Sequence, residues 1–93
     1  MEKHIEIPES ITNMIRRLEL DAKGYKDIII YILSHNDLNI SDKQFDRYQE
    51  QYLNANAAFE YAKAELAKKY ITNKYKSWNL NYYNNTLTII EEE

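Results

Sequence analysis

From Pro8 onward the apolar side chains return every three or four residues: Ile11, Ile15, Leu18, Ala22, Tyr25, Ile29 and Ile32. At about 100° per residue these positions fall on one stripe of a helix, and the alternation of threes and fours is that of a coiled-coil seam. Met14, Ile28 and Leu33 widen the stripe into the broader apolar face of a helix in a bundle. Pro8, with its fixed φ and missing N–H, suits the first turn, and Glu9 puts a negative charge at the positive end of the helix dipole. Asn36 and Asp37 close the segment, so the pattern predicts a first helix over 8–35.

The segment "ISDKQF" predicts where a second helix begins. Ser41 stands at the N-cap and Gln44 three residues on, which is a capping box; Ile40 and Phe45 flank them as a hydrophobic staple. The seam then runs Phe45, Tyr48, Tyr52, Ala55, Phe59, Ala62, Leu66, and the predicted helix covers 41–72. Glu65 and Lys69 form a favourably oriented i,i+4 pair on its flank. The connection from about Ser34 to Ile40 is short, which predicts an antiparallel helical hairpin folded about Asp37–Leu38. That fold brings Leu18 towards Ala58 and Phe59, Tyr25 towards Tyr52, and Ile11 towards Leu66. Gly24, the single glycine, sits mid-helix, where glycine costs roughly 1 kcal/mol relative to alanine. The favoured reading is that it makes room for Tyr48 or Tyr52 across the hairpin; the other is a hinge.

After Ile71 the period changes. "KSWNLNYYNNTLTIIEEE" alternates apolar and polar positions, and a turn at Asn84–Asn85 would make it a hairpin over 77–90. That turn pairs Tyr83 with Thr86, Tyr82 with Leu87 and Leu80 with Ile89, and puts Trp78, Leu80, Tyr82, Leu87 and Ile89 on one face. The N-terminal "KHIEI" alternates as well, with Ile5 and Ile7 on one side, and can add a third strand. An isolated hairpin is marginal in water, so its apolar face must dock on something. An edge strand left open is also a place where an extended peptide pairs. The expected fold is mainly α within the α+β class: one domain over 1–93, a long antiparallel helical hairpin followed by a small C-terminal β-hairpin.

Ninety-three residues is near the lower size for independent stability, and such a chain buries only about 60–65 % of its unfolded surface. Two seams do not use all the apolar residues. Met14, Ile28, Ile30 and Tyr31 on the first helix and Leu53, Ala57 and Tyr61 on the second point elsewhere. The tail, a second copy of the chain in a four-helix dimer, or another partner must cover them. The formal charge of −3 does not argue for nucleic acid. The chain has no cysteine, which excludes thiol nucleophiles, thiolate metal sites and disulfides and suits a cytoplasmic location. The start "MEKHIEIPES" lacks the apolar core of a signal peptide, and the longest apolar run, "IIIYIL" at 28–33, is far short of a membrane span. The enrichment in Ile, Asn, Lys and Tyr is of the kind found in AT-rich bacterial and phage genes.

Candidate chemistry is sparse. His4 and His35 lie in a terminal segment and a loop, without partners at metal-ligand spacing; His35 with Asp37 reads as solvated loop. One glycine cannot build a phosphate-binding loop. Ser10 and Ser41 fit helix starts, and the carboxylates interleave with Lys and Arg as ordinary solvated faces. No catalytic residue, metal site or cofactor is expected, and the chain is read as non-enzymatic. The segment "KKYITNKYKSW" sets Lys68, Lys69, Lys74 and Lys76 among Tyr70, Tyr75 and Trp78, a mixture that can track a phosphate backbone and stack on bases. The alternative is that the lysines favour a helix C-terminus and the aromatics pack, with the acidic end Glu91–Glu93 lying beside them.

The helical body followed by "WNLNYYNNTLTI" resembles a family of small bacterial accessory proteins of CXXX-repeat peptide modification systems. These accompany radical SAM maturases of ribosomally made peptides and end in a tryptophan followed by a short alternating stretch, as at Trp78, Leu80 and Tyr82. The resemblance implies a role in recognising or presenting a peptide or its modifying enzyme, and no catalytic residues. The resulting expectation is a homodimeric protein- or peptide-binding module. Trp78, Leu80 and Tyr82 are the candidate tail surface, and Tyr31, Leu53 and Tyr61 the candidate helix surface; core or dimer interface would account for the same six. The other readings are a nucleic-acid-associated or regulatory protein of a phage or mobile element, acting through the four lysines, and a small protein inhibitor such as an anti-defence factor.

Overall fold

The computed structural model describes residues 1–35 and 39–92. The expected helix stop at Asn36 and Asp37, the fold-back at Asp37–Leu38 and the end residue Glu93 lie outside them. Five elements follow one another: β1 (Glu2–Glu6), α1 (Glu9–Ser34), α2 (Asp42–Tyr70), β2 (Tyr75–Asn81) and β3 (Thr86–Glu91). The helices form a hairpin, and the strands form an antiparallel sheet in the order β1-β3-β2, so the N-terminal strand does join the tail.

The local signals act as the chemistry of their residues requires. The Pro8 carbonyl accepts the N–H groups of Ile11 and Thr12 at 3.0 and 3.2 Å. Pro8 therefore stands at the N-cap of α1, one position ahead of the first helical residue. At α2 the capping box is reciprocal: the Gln44 N–H donates to Ser41 Oγ at 3.2 Å, and the Ser41 N–H donates to Gln44 Oε1 at 3.3 Å. Two N–H groups at the helix start, which the helix itself cannot satisfy, are thereby paired.

The chain divides into two compact units, Met1–Arg16 with Tyr61–Glu93, and Arg17–Glu60. The first holds most of the core. Strand β3 is central: Leu87 stands between Ile5 of β1 and Leu80 of β2, and Ile89 between Lys3 and Trp78. Leu80, Leu87 and Ile89 are buried, as are Ile7, Thr12 and Ile15 at the start of α1 and Ala62 and Leu66 near the end of α2. Removing an aliphatic side chain of this size from water is worth about 1.5–3 kcal/mol, so this small set carries much of the stability. Thr12, the buried polar member, donates its hydroxyl to the Pro8 carbonyl at 3.5 Å. The opposite face of the sheet is polar, with His4, Thr88 and Asn79 in one row. There His4 Nδ1 lies 3.2 Å from Thr88 Oγ1, and His4 Nε2 lies 3.5 Å from the Glu2 carboxylate.

The hairpin register differs from the expected one. Leu80 pairs with Leu87 and Trp78 with Ile89, not Leu80 with Ile89, and the connection is the four residues Tyr82–Asn85 rather than Asn84–Asn85 alone. The cause is Asn81. Its Oδ1 accepts the N–H groups of Tyr83 and Asn84 at 2.8 and 3.2 Å, bending the chain two residues early. Asn84 Oδ1 accepts the Thr86 N–H at 3.1 Å, and Asn85 closes the loop with φ 56°. The slip is an even number of residues, so Trp78, Leu80, Leu87 and Ile89 keep a common face. Tyr82 leaves the strand for the loop.

In the second unit α1 and α2 meet along the expected seams. Leu18, Ala22, Tyr25, Ile29 and Ile32, and Phe45, Tyr48, Tyr52, Ala55 and Phe59, are all buried or half-buried. Among the described residues of this unit only Ala22 is buried, the others on the seams being half-buried. Gly24 does not make room for Tyr48 or Tyr52: a Cβ placed on it meets nothing within 4 Å. It faces open solvent, about a third of a turn from the seam.

Candidate interaction surface

The run Ile28–Leu33 is apolar around the whole circumference of α1. Ile29 and Ile32 point into the seam, while Ile28, Ile30, Tyr31 and Leu33 are left 40, 50, 54 and 65 % exposed. A helix turn that is apolar on every side is normally covered by something. Here the facing helix covers one side of it.

Beside this run the seam opens into a groove. Lys26, Ile29 and Ile30 of α1 and Gln49, Tyr52 and Leu53 of α2 line a depression of about 450 Å³. A second depression of about 400 Å³ shares Lys26, Ile30 and Tyr52 and reaches Ala22, Asn56 and Phe59. Leu53 forms a wall of the groove and is 63 % exposed. The first depression is apolar except for the Lys26 ammonium and the Gln49 amide, which is the chemistry of a surface that takes up another apolar side chain; the second is more polar, adding Asn56 and the charged Glu19, Lys23 and Asp27.

Of the residues singled out from the sequence, Leu53 thus lines the groove and Tyr31 is exposed on α1. There the Tyr31 ring stacks on His35 at 4.0 Å between centroids, while His35 Nδ1 lies 2.8 Å from the Tyr31 carbonyl. Tyr61 is exposed in the first unit. The tail residues are placed differently: Leu80 is core, Trp78 is half-buried opposite Ile89, and Tyr82 is half-buried in the loop. Comparison with protein-family models, curated proteins and solved structures gives no match. The resemblance to peptide-modification accessory proteins therefore rests on the helical body and the tail residues of this sequence, with nothing from these comparisons added to it.

Lys68, Lys69, Lys74 and Lys76 are exposed. Lys69 Nζ lies 5.4 Å from the centroid of the Tyr70 ring. Tyr75 pairs with Glu91, and the Lys74 carbonyl accepts the Glu92 N–H at 3.1 Å, so Glu91 and Glu92 do run beside the basic segment. Lys76 is the extra residue of a β-bulge between Tyr75 and Ser77 on the edge strand β2. A bulge and lysines on an edge oppose pairing with another strand. Among the described residues no group of three or more His, Asp and Glu is placed to hold a metal ion, and no helix is long and apolar enough to cross a membrane.

Groove and outer α1 face share one explanation in the sequence. Ile30 and Leu53 stand out as apolar residues off their seams, and that signal was legible. Lys26, Gln49 and Asn56 carry none, because the polar rim of a groove is made by helix pairing and not by any local pattern.

Proposed function

We propose that this chain is a non-enzymatic interaction module of the cytoplasm that binds a protein or peptide through the groove between α1 and α2. The observation that carries this is the exposed apolar wall made by Ile30 and Leu53 over the groove floor of Ile29 and Tyr52. The complementary occupant presents an apolar side chain to that floor and an acidic or carbonyl group to Lys26. The helix surface is favoured over the sheet edge because β2 carries a bulge at its one lysine, Lys76, and β1 is charged at Glu2, Lys3 and Glu6. An accessory role in ribosomal peptide modification is consistent with this reading, with the tail residues Trp78 and Leu80 supporting the fold. A small protein inhibitor would use the same surface.

The test is a titration of the purified chain with a synthetic Cys-Xaa-Xaa-Xaa repeat peptide and with its radical SAM maturase, followed by calorimetry. Saturable binding lost in Leu53→Lys, with the melting temperature kept, supports the reading. Binding that survives both Leu53→Lys and Ile30→Lys refutes the groove as the site. Absence of binding to peptide and maturase removes the peptide-modification role.

The nucleic-acid reading is the weaker one. Trp78 is half-buried opposite Ile89, and Glu91 and Glu92 run beside Lys74 and Lys76. Labelled single-stranded and duplex oligonucleotides at low salt should show no binding; a salt-dependent shift abolished by Lys74→Glu and Lys76→Glu would reinstate it.

A further inference from the structure

Gly24 has no reason within the chain to be glycine. Its φ is ordinary, and a Cβ there meets open space. It nevertheless lies within a line of exposed residues: Arg17, Leu20, Gly24, Ile28 and Tyr31 recur at steps of three, four, four and three. At about 100° per residue they form a single stripe on α1, set roughly 120° from the inward seam and on the side away from the groove. Leu20, Ile28 and Tyr31 in that stripe are 57, 40 and 54 % exposed. The stripe is thus two apolar shoulders about a notch.

The spacing is also palindromic about Gly24. A twofold axis through this residue, with two copies of α1 antiparallel, lays Leu20 on Ile28 of the second copy, Arg17 on Tyr31, and Gly24 on Gly24, each contact occurring twice. A twofold interface requires such self-complementarity, in which residue i meets j and j meets i. The charges at the stripe's margin agree. Lys23 and Asp27 share one flank, and the axis inverts one copy so that each Asp27 carboxylate faces the other copy's Lys23 ammonium. At the ends, the Arg17 guanidinium reaches the face of a Tyr31 ring, an attractive geometry for a cation and an aromatic. Glycine at the axis lets the two helix backbones approach closely enough for these side chains to meet.

We infer that the Arg17–Leu20–Gly24–Ile28–Tyr31 stripe of α1 is a homodimer interface, with an antiparallel second copy of α1 crossing at Gly24. Four side chains per copy, about a glycine, bury less than the roughly 800 Å² per partner of a standard interface, so the dimer is expected to be a reversible one. The five stripe residues lie outside the groove, while Lys23 and Asp27 at the margin also line the second depression; Leu53→Lys leaves the stripe intact, and failure of the dimer would leave the reading of the Ile30–Leu53 groove untouched.

The absence of cysteine from the chain makes the test direct. A residue on a twofold axis faces itself, so Gly24→Cys is expected to oxidise to a disulfide-linked dimer, while Glu50→Cys, exposed on α2, is expected to stay monomeric under the same conditions. Sedimentation of the unmodified chain from low micromolar to several hundred micromolar concentration should show a monomer–dimer equilibrium. Gly24→Leu should shift it at least tenfold towards monomer without lowering the melting temperature, because the added side chain meets open space within the chain. Asp27→Lys should weaken it, and Lys23→Asp with Asp27→Lys should restore it. A monomer throughout, equal cross-linking of Gly24→Cys and Glu50→Cys, or a Gly24→Leu chain that dimerises as before would each overturn the interface.

Discussion

Trp78 lies directly opposite Ile89 across the β2–β3 pair, and Ile89 is buried to within 2 % of complete enclosure. Trp78 is half-buried on the sheet face it shares with Leu80, Leu87 and Ile89. Trp78→Ala removes a large, partly enclosed ring from the first unit, where most of the core resides. The expected cost is about 2–3 kcal/mol, or a fall in melting temperature of roughly 10–20 °C for a chain of this size. Thermal unfolding followed by circular dichroism measures it; a fall of only a degree or two would show that the ring contributes no packing.

Asn81 sets the hairpin by accepting two backbone N–H groups, from Tyr83 and Asn84, and Asn85 completes it in a left-handed conformation. Asn81→Ala leaves both donors without that acceptor and should cost about 1 kcal/mol. Asn85→Ala should cost about as much, because alanine lacks the local hydrogen bonding that lets asparagine occupy positive φ. Asn85→Gly should be close to neutral. Denaturant midpoints of the three variants give the order, and equal loss in Asn85→Ala and Asn85→Gly would show that φ is not the determinant.

How much of this was legible beforehand follows from how far each signal reaches. The seams from Ile15 to Ile32 and from Phe45 to Leu66 were legible because helix periodicity is written over many residues, and the Ser41–Gln44 box because both partners sit within one turn. The membership of one sheet face, Trp78, Leu80, Leu87 and Ile89, was legible because it depends only on parity. The register was not. It turned on whether Asn81 or the Asn84–Asn85 pair would bend the chain, and several asparagines in a row leave that competition to hydrogen bonds that composition does not rank. Gly24 was misread for a related reason: a glycine opposite tyrosines suggests a filled notch, but the side of the helix it occupies is fixed by its phase relative to the seam, and that phase points to solvent.

The capping box offers a further measurement. Ser41→Ala removes the acceptor of the Gln44 N–H and should cost about 1 kcal/mol, with Ser41→Asp retaining most of the stability because aspartate is also a good N-cap. Gln44→Ala loses the weaker, reciprocal bond and should cost less. Chemical denaturation of the three variants tests this order, and a Ser41→Asp chain as unstable as Ser41→Ala would contradict it.

Gly24→Ala is expected to raise the stability of the monomer by roughly 1 kcal/mol. The Cβ meets nothing, the backbone is helical, and alanine has less conformational freedom to lose on folding. The measurement belongs at low micromolar concentration, where a reversible dimer does not contribute. Had Gly24 been packed against Tyr48 or Tyr52, the same substitution would destabilise, so the sign alone distinguishes the two placements.

Ile30 and Leu53 stand on either side of the groove, half or more exposed, so replacing them should change the surface and not the fold. Ile30→Lys and Leu53→Lys each remove an apolar side chain that the unfolded chain also exposes to water, and the expected stability change of either is within about 0.5 kcal/mol. What should change is affinity for apolar ligands. An environment-sensitive hydrophobic dye should bind the unmodified chain and lose most of its fluorescence with the double variant, since the added ammonium groups join Lys26 around a floor that has then lost its walls. Leu80→Lys is the contrasting case: Leu80 is core, a lysine there must be buried without a partner, and the chain should unfold rather than lose the dye. Undiminished dye fluorescence in the double variant, with its stability intact, would place the accessible apolar surface somewhere other than this groove.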